Sequence, residues 1–262
     1  MTTTIALAGK GGVGKTTVAA MIIKYLAQTQ PGAILAIDAD PSSNLNMVLG
    51  LDLEWTVGDI REGMLSKVKE SLLAGGAAMG SIDGGLTKRD YLDYEVRSAI
   101  AEGERVDLIA MGRSEGAGCY CAVNHNLREV VDTISKNYRY VIIDNEAGME
   151  HLSRRTTRDV QHLIVVSDPT QRGIVAAERI AAFRHEMDIR IENCFLVINR
   201  LQGELPEPLQ QRIGLMDVPL LGIIPADAEL AAYEFSGRPL IDLGNESPVY
   251  TAVAEMAQTI GL

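Results

Sequence analysis

The stretch Gly9-Lys10-Gly11-Gly12-Val13-Gly14-Lys15-Thr16-Thr17 constrains this chain more than any other. It follows an apolar run at 4–8 and precedes a helical face of Val18, Met21, Ile22, Tyr25 and Leu26, which Pro31-Gly32 stops. The spacing predicts a strand, a glycine-rich turn and a helix, and G-x-x-x-x-G-K-[ST] in that setting is a phosphate cradle. Its glycines let the backbone close on the phosphates and aim N–H groups at them. The helix starting near Lys15 presents its positive dipole end to the same anion. Lys15 is expected to reach the β- and γ-phosphates of ATP, and the Thr16 hydroxyl to ligate Mg²⁺.

Beyond the cradle, the alternation of strand and helix signals continues to the end of the chain. Short apolar runs at 33–38, 106–111, 140–144, 162–168, 194–199 and 219–224 alternate with helical periodicity, clearest at 126–136, 170–186 and 247–260. Near-continuous apolar strands belong to a parallel sheet covered on both faces. The expected fold is α/β: a doubly wound, mostly parallel sheet of seven or eight strands, with helices on both faces and ligands at the carboxyl ends of the strands. At 262 residues and 47% apolar, the chain can bury one large core, and we read 1–262 as a single domain. Residues 51–104, weakly helical over 54–73 and punctuated by Gly75-Gly76 and Gly84-Gly85, read as an excursion from the sheet.

A formal charge of −11 argues against a nucleic-acid partner, which needs a basic face. The N-terminus has no cationic segment followed by a cleavable apolar stretch, and no run of eighteen apolar residues occurs. The expectation is a cytoplasmic protein without a membrane partner. Three cysteines, two of them in Cys119-Tyr120-Cys121, do not make a disulfide framework, so metal or redox chemistry is the better reading.

Lys10 turns the loop into G-K-G-G-V-G-K-T, which resembles the MinD/ParA/nitrogenase-iron-protein class of P-loop ATPases. The resemblance implies that Lys10 crosses a two-fold interface to the partner's nucleotide, where a second cation stabilises charge on the transferred phosphoryl group. Asp38-Ala39-Asp40-Pro41 resembles that class's D-x-D-P switch I. It implies a catalytic Asp40 that positions the attacking water, with Asp38 in support. Val141-Ile142-Ile143-Asp144 resembles a Walker B strand, whose Asp144 holds Mg²⁺ through water. Gly148, in the expected switch II, would sense the γ-phosphate through its amide. Where many relatives read D-x-G-A-G, this chain has Glu146. Asn199 and Arg200 end the sixth strand where the class recognises adenine, and an asparagine amide matches the N6/N7 edge. A purely structural strand-end asparagine is the alternative. By the same resemblance, Pro225, Asp227 and Leu230, after the seventh strand, are expected in the second loop that the class wraps around the base.

Thiolates select Zn²⁺, Ni²⁺, Cu(I) or iron–sulfur centres. One chain supplies two sulfurs, Cys119 and Cys121, whereas tetrahedral or square-planar sites want four ligands. A homodimer answers the count with an S₄ site on its axis. His125 is a rival ligand. Together with Asn124 and Ala147-Gly148-Met149-Glu150-His151, the paired cysteines make the chain resemble the CooC-type ATPases. The resemblance implies a Ni²⁺ or Zn²⁺ site shared between subunits, ATP-driven dimer closure, and delivery of nickel to carbon monoxide dehydrogenase or the related acetyl-CoA synthase. His151 is either a metal relay or a structural histidine. Arg154, Arg155 and Arg158 either dock an acidic client or are simply solvated. Cys194 reads as a buried small hydrophobe. The competing function is a reductase like the nitrogenase iron protein, with an iron–sulfur cluster bridging the subunits. A MinD-like membrane role would need a basic C-terminal helix, yet no lysine or arginine follows Arg238.

Overall fold

The structure is a computed structural model that describes residues 2–42, 44–73, 88–112, 121–146, 159–187 and 189–262. Its strands are β1 (Thr3–Ala8), β2 (Ile34–Asp38), β3 (Val106–Ala110), β4 (Tyr140–Asp144), β5 (Asp159–Ser167), β6 (Arg190–Leu201) and β7 (Leu220–Pro225). They form one seven-stranded sheet in the order β3-β2-β4-β1-β5-β6-β7. Every neighbouring pair is parallel. Each expected strand is present, with ends shifted by a few residues, most at β6, which starts earlier at Arg190.

The helices are α1 (Lys15–Thr29), α2 (Leu45–Leu49), α3 (Val57–Leu73), α4 (Lys88–Ser98), α5 (Cys121–Ser135), α6 (Gln171–Phe183), α7 (Glu207–Gly214), α8 (Ala228–Ser236) and α9 (Pro248–Thr259). Side chains alternate across the sheet, so Ile5 and Leu7 join one apolar cluster while Ala6 and Ala8 join another. The first cluster gathers α1 and α9. The second gathers apolar residues of α3 to α7. Both faces are covered, which is why β1, β2 and β4 read as unbroken apolar runs.

The excursion at 51–104 supplies α3 and α4, which pack on the second face through Ile60, Met64, Leu92 and Val96. Among the described side chains of α4, only Leu92 and Val96 are fully buried, four residues apart in a strongly charged segment. That stripe is too thin to stand out as a periodic pattern. Residues 74–87 lie outside the described residues. The helix expected from 126 begins five residues earlier, so Cys121 is the first residue of α5.

Candidate nucleotide site

Four strands deliver the expected residues to one edge of the sheet. β1 runs into the glycine loop, β2 ends at Asp38, β4 at Asp144, and β6 carries Asn199 and Arg200 near its end. Asp144 stands level with Asp38 on one side and Leu7 on the other. The Ala39 N–H donates to the Asp144 carbonyl at 2.9 Å, fixing the loop after β2 against β4.

The loop packs too tightly for side chains at two glycines. A Cβ on Gly9 would lie 2.3 Å from the Val166 carbonyl oxygen. One on Gly14 would lie 2.3 Å from Asn199 Nδ2, and Gly14 has φ 92°. Gly14 is also the N-cap of α1 and offers no capping side chain. The first-turn N–H groups of α1 therefore lack the protein acceptor that a Ser, Thr, Asp or Asn cap supplies. Lys15 and Thr17 are buried at the start of that turn, and Val13 closes beneath it. Gly11, Gly12 and Lys10 face solvent. A bare anion-binding helix end beside a glycine cradle fits a polyphosphate.

Thr16 Oγ1 donates to Asp144 Oδ2 at 2.5 Å. The other carboxylate oxygen, Asp144 Oδ1, is buried and has no hydrogen-bond partner. Burial pushes the Asp144 carboxyl up to about 7; the Thr16 hydrogen bond and Lys15 oppose this, while Asp38 and Asp40 add to it. Burial likewise raises Asp38 to about 6, against N–H donors from Leu45, Asp40 and Asn44. Asp38 is otherwise occupied as a turn-former: its carboxylate accepts from Asp40 N at 3.1 Å and Leu45 N at 2.9 Å. Asp40 accepts from Ser42 N at 2.8 Å and is half-buried. Asp144 thus feels Lys15 on one side and the acids Asp38 and Asp40 on the other, and one of its own carboxylate oxygens is orphaned. The Asp144 carboxylate and the Thr16 hydroxyl suit Mg²⁺, which takes few protein ligands and completes its shell with phosphate and water.

On the expected base side, Asn199 is 3% exposed. Its Nδ2 donates to the Val13 carbonyl at 2.8 Å, and its Oδ1 accepts from Arg200 N at 2.9 Å. The Arg200 guanidinium donates to the Gly12 carbonyl at 3.0 Å. Pro225 ends β7. Asp227 caps α8, accepting from Glu229 N and Leu230 N, and also accepts from Ser247 Oγ at 2.7 Å. Leu230 points into the core at 6% exposure. Two neighbours complete the site: Asn145, the first residue of the expected switch II, and Glu234, which escaped the sequence. Asn145 is buried and donates to the Leu7 carbonyl at 2.7 Å, for which its place directly after Asp144 was the available signal. Glu234 accepts from Thr17 Oγ1 at 3.3 Å, and a lone glutamate on α8 carried no signal at all.

Cys119, Gly148, His151, Arg154, Arg155 and Arg158 lie outside the described residues. Cys121 and His125 belong to α5, but their side chains are likewise outside that set. Among the described residues, no three His, Cys, Asp or Glu side chains are grouped to hold a metal ion. No described helix is long and apolar enough to cross a membrane.

The family model for the CobQ/CobB/MinD/ParA nucleotide binding domain matches residues 4–240, which takes in all of the sheet but Thr3 and the whole glycine loop. The chain belongs to this family. It is a P-loop ATPase of the MinD/ParA type. An uncharacterized ATP-binding protein of Methanocaldococcus jannaschii is 40% identical over 98% of this chain and 97% of its own length. The carbon monoxide dehydrogenase accessory protein CooC of Rhodospirillum rubrum is 27% identical, over 91% of this chain and 89% of its own. Among solved structures, the septum site-determining protein MinD of Pyrococcus horikoshii, complexed with Mg-ADP, superposes with a TM-score of 0.68. It is 23% identical and covers 100% of this chain and 96% of its own, a likeness of fold.

Proposed function

We propose that this ATPase works as a homodimeric metallochaperone, delivering nickel to carbon monoxide dehydrogenase or the related acetyl-CoA synthase. The observation that carries the reading is the point from which the cysteine segment departs. Met111 N donates to the Asp38 carbonyl at 2.7 Å, and the Met111 carbonyl accepts from Gly58 N at 3.0 Å. The chain leading to Cys119 and Cys121 thus leaves from backbone bonded to the loop that borders the phosphate cradle. A change at that loop reaches Met111, eight positions before Cys119 in the sequence. The likeness to CooC supports the nickel half of the reading.

ATP is the substrate in this scheme. The amides of 9–17 and the Lys15 ammonium hold its phosphates; Lys10, exposed at the loop tip, serves the partner subunit's nucleotide. Thr16 and, through water, Asp144 would hold Mg²⁺, which neutralises charge on the phosphates. Asp40 orients the attacking water, and the Gly148 amide contacts the γ-phosphate. Asn199 retains one N–H and one lone pair beyond its bonds to Val13 and Arg200, the complement of the adenine N6/N7 edge. Pro225 and the backbone at Asp227 and Leu230 border the base.

Ni²⁺ or Zn²⁺ is cargo, shared by Cys119 and Cys121 of both subunits. An ion held across an interface binds only as well as that interface closes, so ATP and metal each tighten the other. The test is metal analysis of anaerobically purified protein, with and without ATP, alongside its absorption spectrum and sedimentation. One ion per two chains, thiolate charge-transfer bands and ATP-promoted dimers are expected. Broad iron–sulfur absorption would favour the reductase instead, and a monomer unaffected by ATP or metal would overturn the chaperone.

A further inference from the structure

Arg200 is the one non-glycine residue with positive φ among the described residues, at 61°. Its strand is bulged there. Ile198 and Leu201 of β6, three steps apart, lie level with Ile223 and Pro225 of β7, two steps apart. Left-handed backbone is unfavourable for an arginine, and bulges re-aim side chains. Something in the surroundings must hold this conformation, and the contacts of Arg200 identify it.

The guanidinium donates to the Gly12 carbonyl at 3.0 Å and lies 3.8 Å from the Glu234 carboxylate. Glu234 in turn accepts from Thr17 Oγ1 at 3.3 Å, in the first turn of α1. The adjacent Asn199 anchors the Val13 carbonyl. In a trans peptide unit the C=O and N–H point in opposite directions. A donor on the Gly12 carbonyl therefore fixes the direction of the Val13 N–H, which turns back toward the Lys10 carbonyl at 3.4 Å. A donor on the Val13 carbonyl does the same for the Gly14 N–H. The bulge of β6 thereby orients two consecutive amides of the phosphate cradle.

We propose that Arg200, steadied by Glu234, is a positioning residue that sets the P-loop amides by anchoring the Gly12 carbonyl. The inference rests on the nucleotide-binding reading and assigns Arg200 to the phosphate side of the ligand rather than the base. Glu234 serves both arms, since it engages Arg200 on β6 and Thr17 on α1. Strain at Arg200 is tolerated because a relaxed backbone would carry the guanidinium away from the loop.

The test uses Arg200→Gly and Glu234→Gln in the full chain, with Mg²⁺ and three probes: ATP, GTP and inorganic tripolyphosphate. Glycine adopts φ 61° without penalty, so the melting temperature of Arg200→Gly should equal or exceed that of the wild type. Its affinities for ATP and tripolyphosphate should fall together, by about tenfold, with the ATP-to-GTP ratio unchanged. Glu234→Gln keeps an acceptor for Thr17 but loses the ion pair, and should weaken both ligands in the same proportion by about threefold. Loss of ATP binding with tripolyphosphate unaffected, or a collapsed ATP-to-GTP ratio, would make Arg200 a base contact and overturn the proposal. Unchanged affinities, or a lowered melting temperature in Arg200→Gly, would overturn it as well. A wild-type protein that bound none of the probes would sink the nucleotide reading itself, and this inference with it.

Discussion

At Gly14 a single missing side chain serves three purposes. It permits φ 92°, leaves the helix end uncapped, and makes room for the Asn199 amide. Gly14→Ala should therefore lose ATP binding and about 1–3 kcal/mol of stability, read by nucleotide titration and urea denaturation. Lys15→Ala should leave stability nearly intact while reducing ATP turnover by about 100-fold or more, because no other buried cation among the described residues begins α1. His162 provides a pH signature elsewhere in the sheet. It lies on β5 against the Phe195 ring, and its Nδ1 is buried without a hydrogen-bond partner. Burial lowers its pKa from 6.5, partly opposed by Glu192. The unfolded chain thus takes up a proton before the folded one does. Stability is fully present above pH 6.5 and falls as the pH drops through the lower folded value. Thermal melts across that range should show the slope, and His162→Leu should flatten it.

Between elements, capping ties the C-terminal end of the chain together. Ser247 caps α9 by accepting from Val249 N and Tyr250 N, and donates to Asp227, the cap of α8. Ser247→Ala removes one cap and half-releases another, all at 1% exposure, and should cost about 1–2 kcal/mol in urea denaturation. The family resemblance puts Asp227 in a loop around the base, and in the structure its carboxylate also joins two helices. On the other face of the same helix layer, Lys24 of α1 reaches the carbonyls of Ile241 and Leu243. These bonds hold the helix that carries the phosphate cradle against the segment joining α8 to α9. The position of the cradle therefore depends on residues more than two hundred positions away along the chain.

Across the whole molecule, the parallel sheet gathers the ends of its strands on one edge, where the glycine loop, Asp38, Asp144 and Asn199 meet. In the proposed dimer that edge is also where the second subunit must arrive, since Lys10 is exposed at the loop tip. Cys119→Ser should leave ATP binding within about twofold of wild type, yet abolish the tightening of dimers by Ni²⁺. Sedimentation with ATP, with Ni²⁺ and with both would check it.

The fold class and the phosphate end of the site were legible in residue order alone. Glycine spacing, apolar runs of strand length and an aspartate closing each of two runs are local signals, carried by residues close together in the chain. What Arg200 and Glu234 do emerged only from the packed molecule. Their contacts join β6, α8 and the glycine loop across long sequence separations, and a β-bulge leaves no mark on composition or period. Packing also settled that Asn199 holds the P-loop backbone, and that α4 sits on the second face through the buried Leu92 and Val96. A chain announces local geometry through its own neighbours; which carbonyl a distant side chain will meet depends on how the whole sheet is stacked.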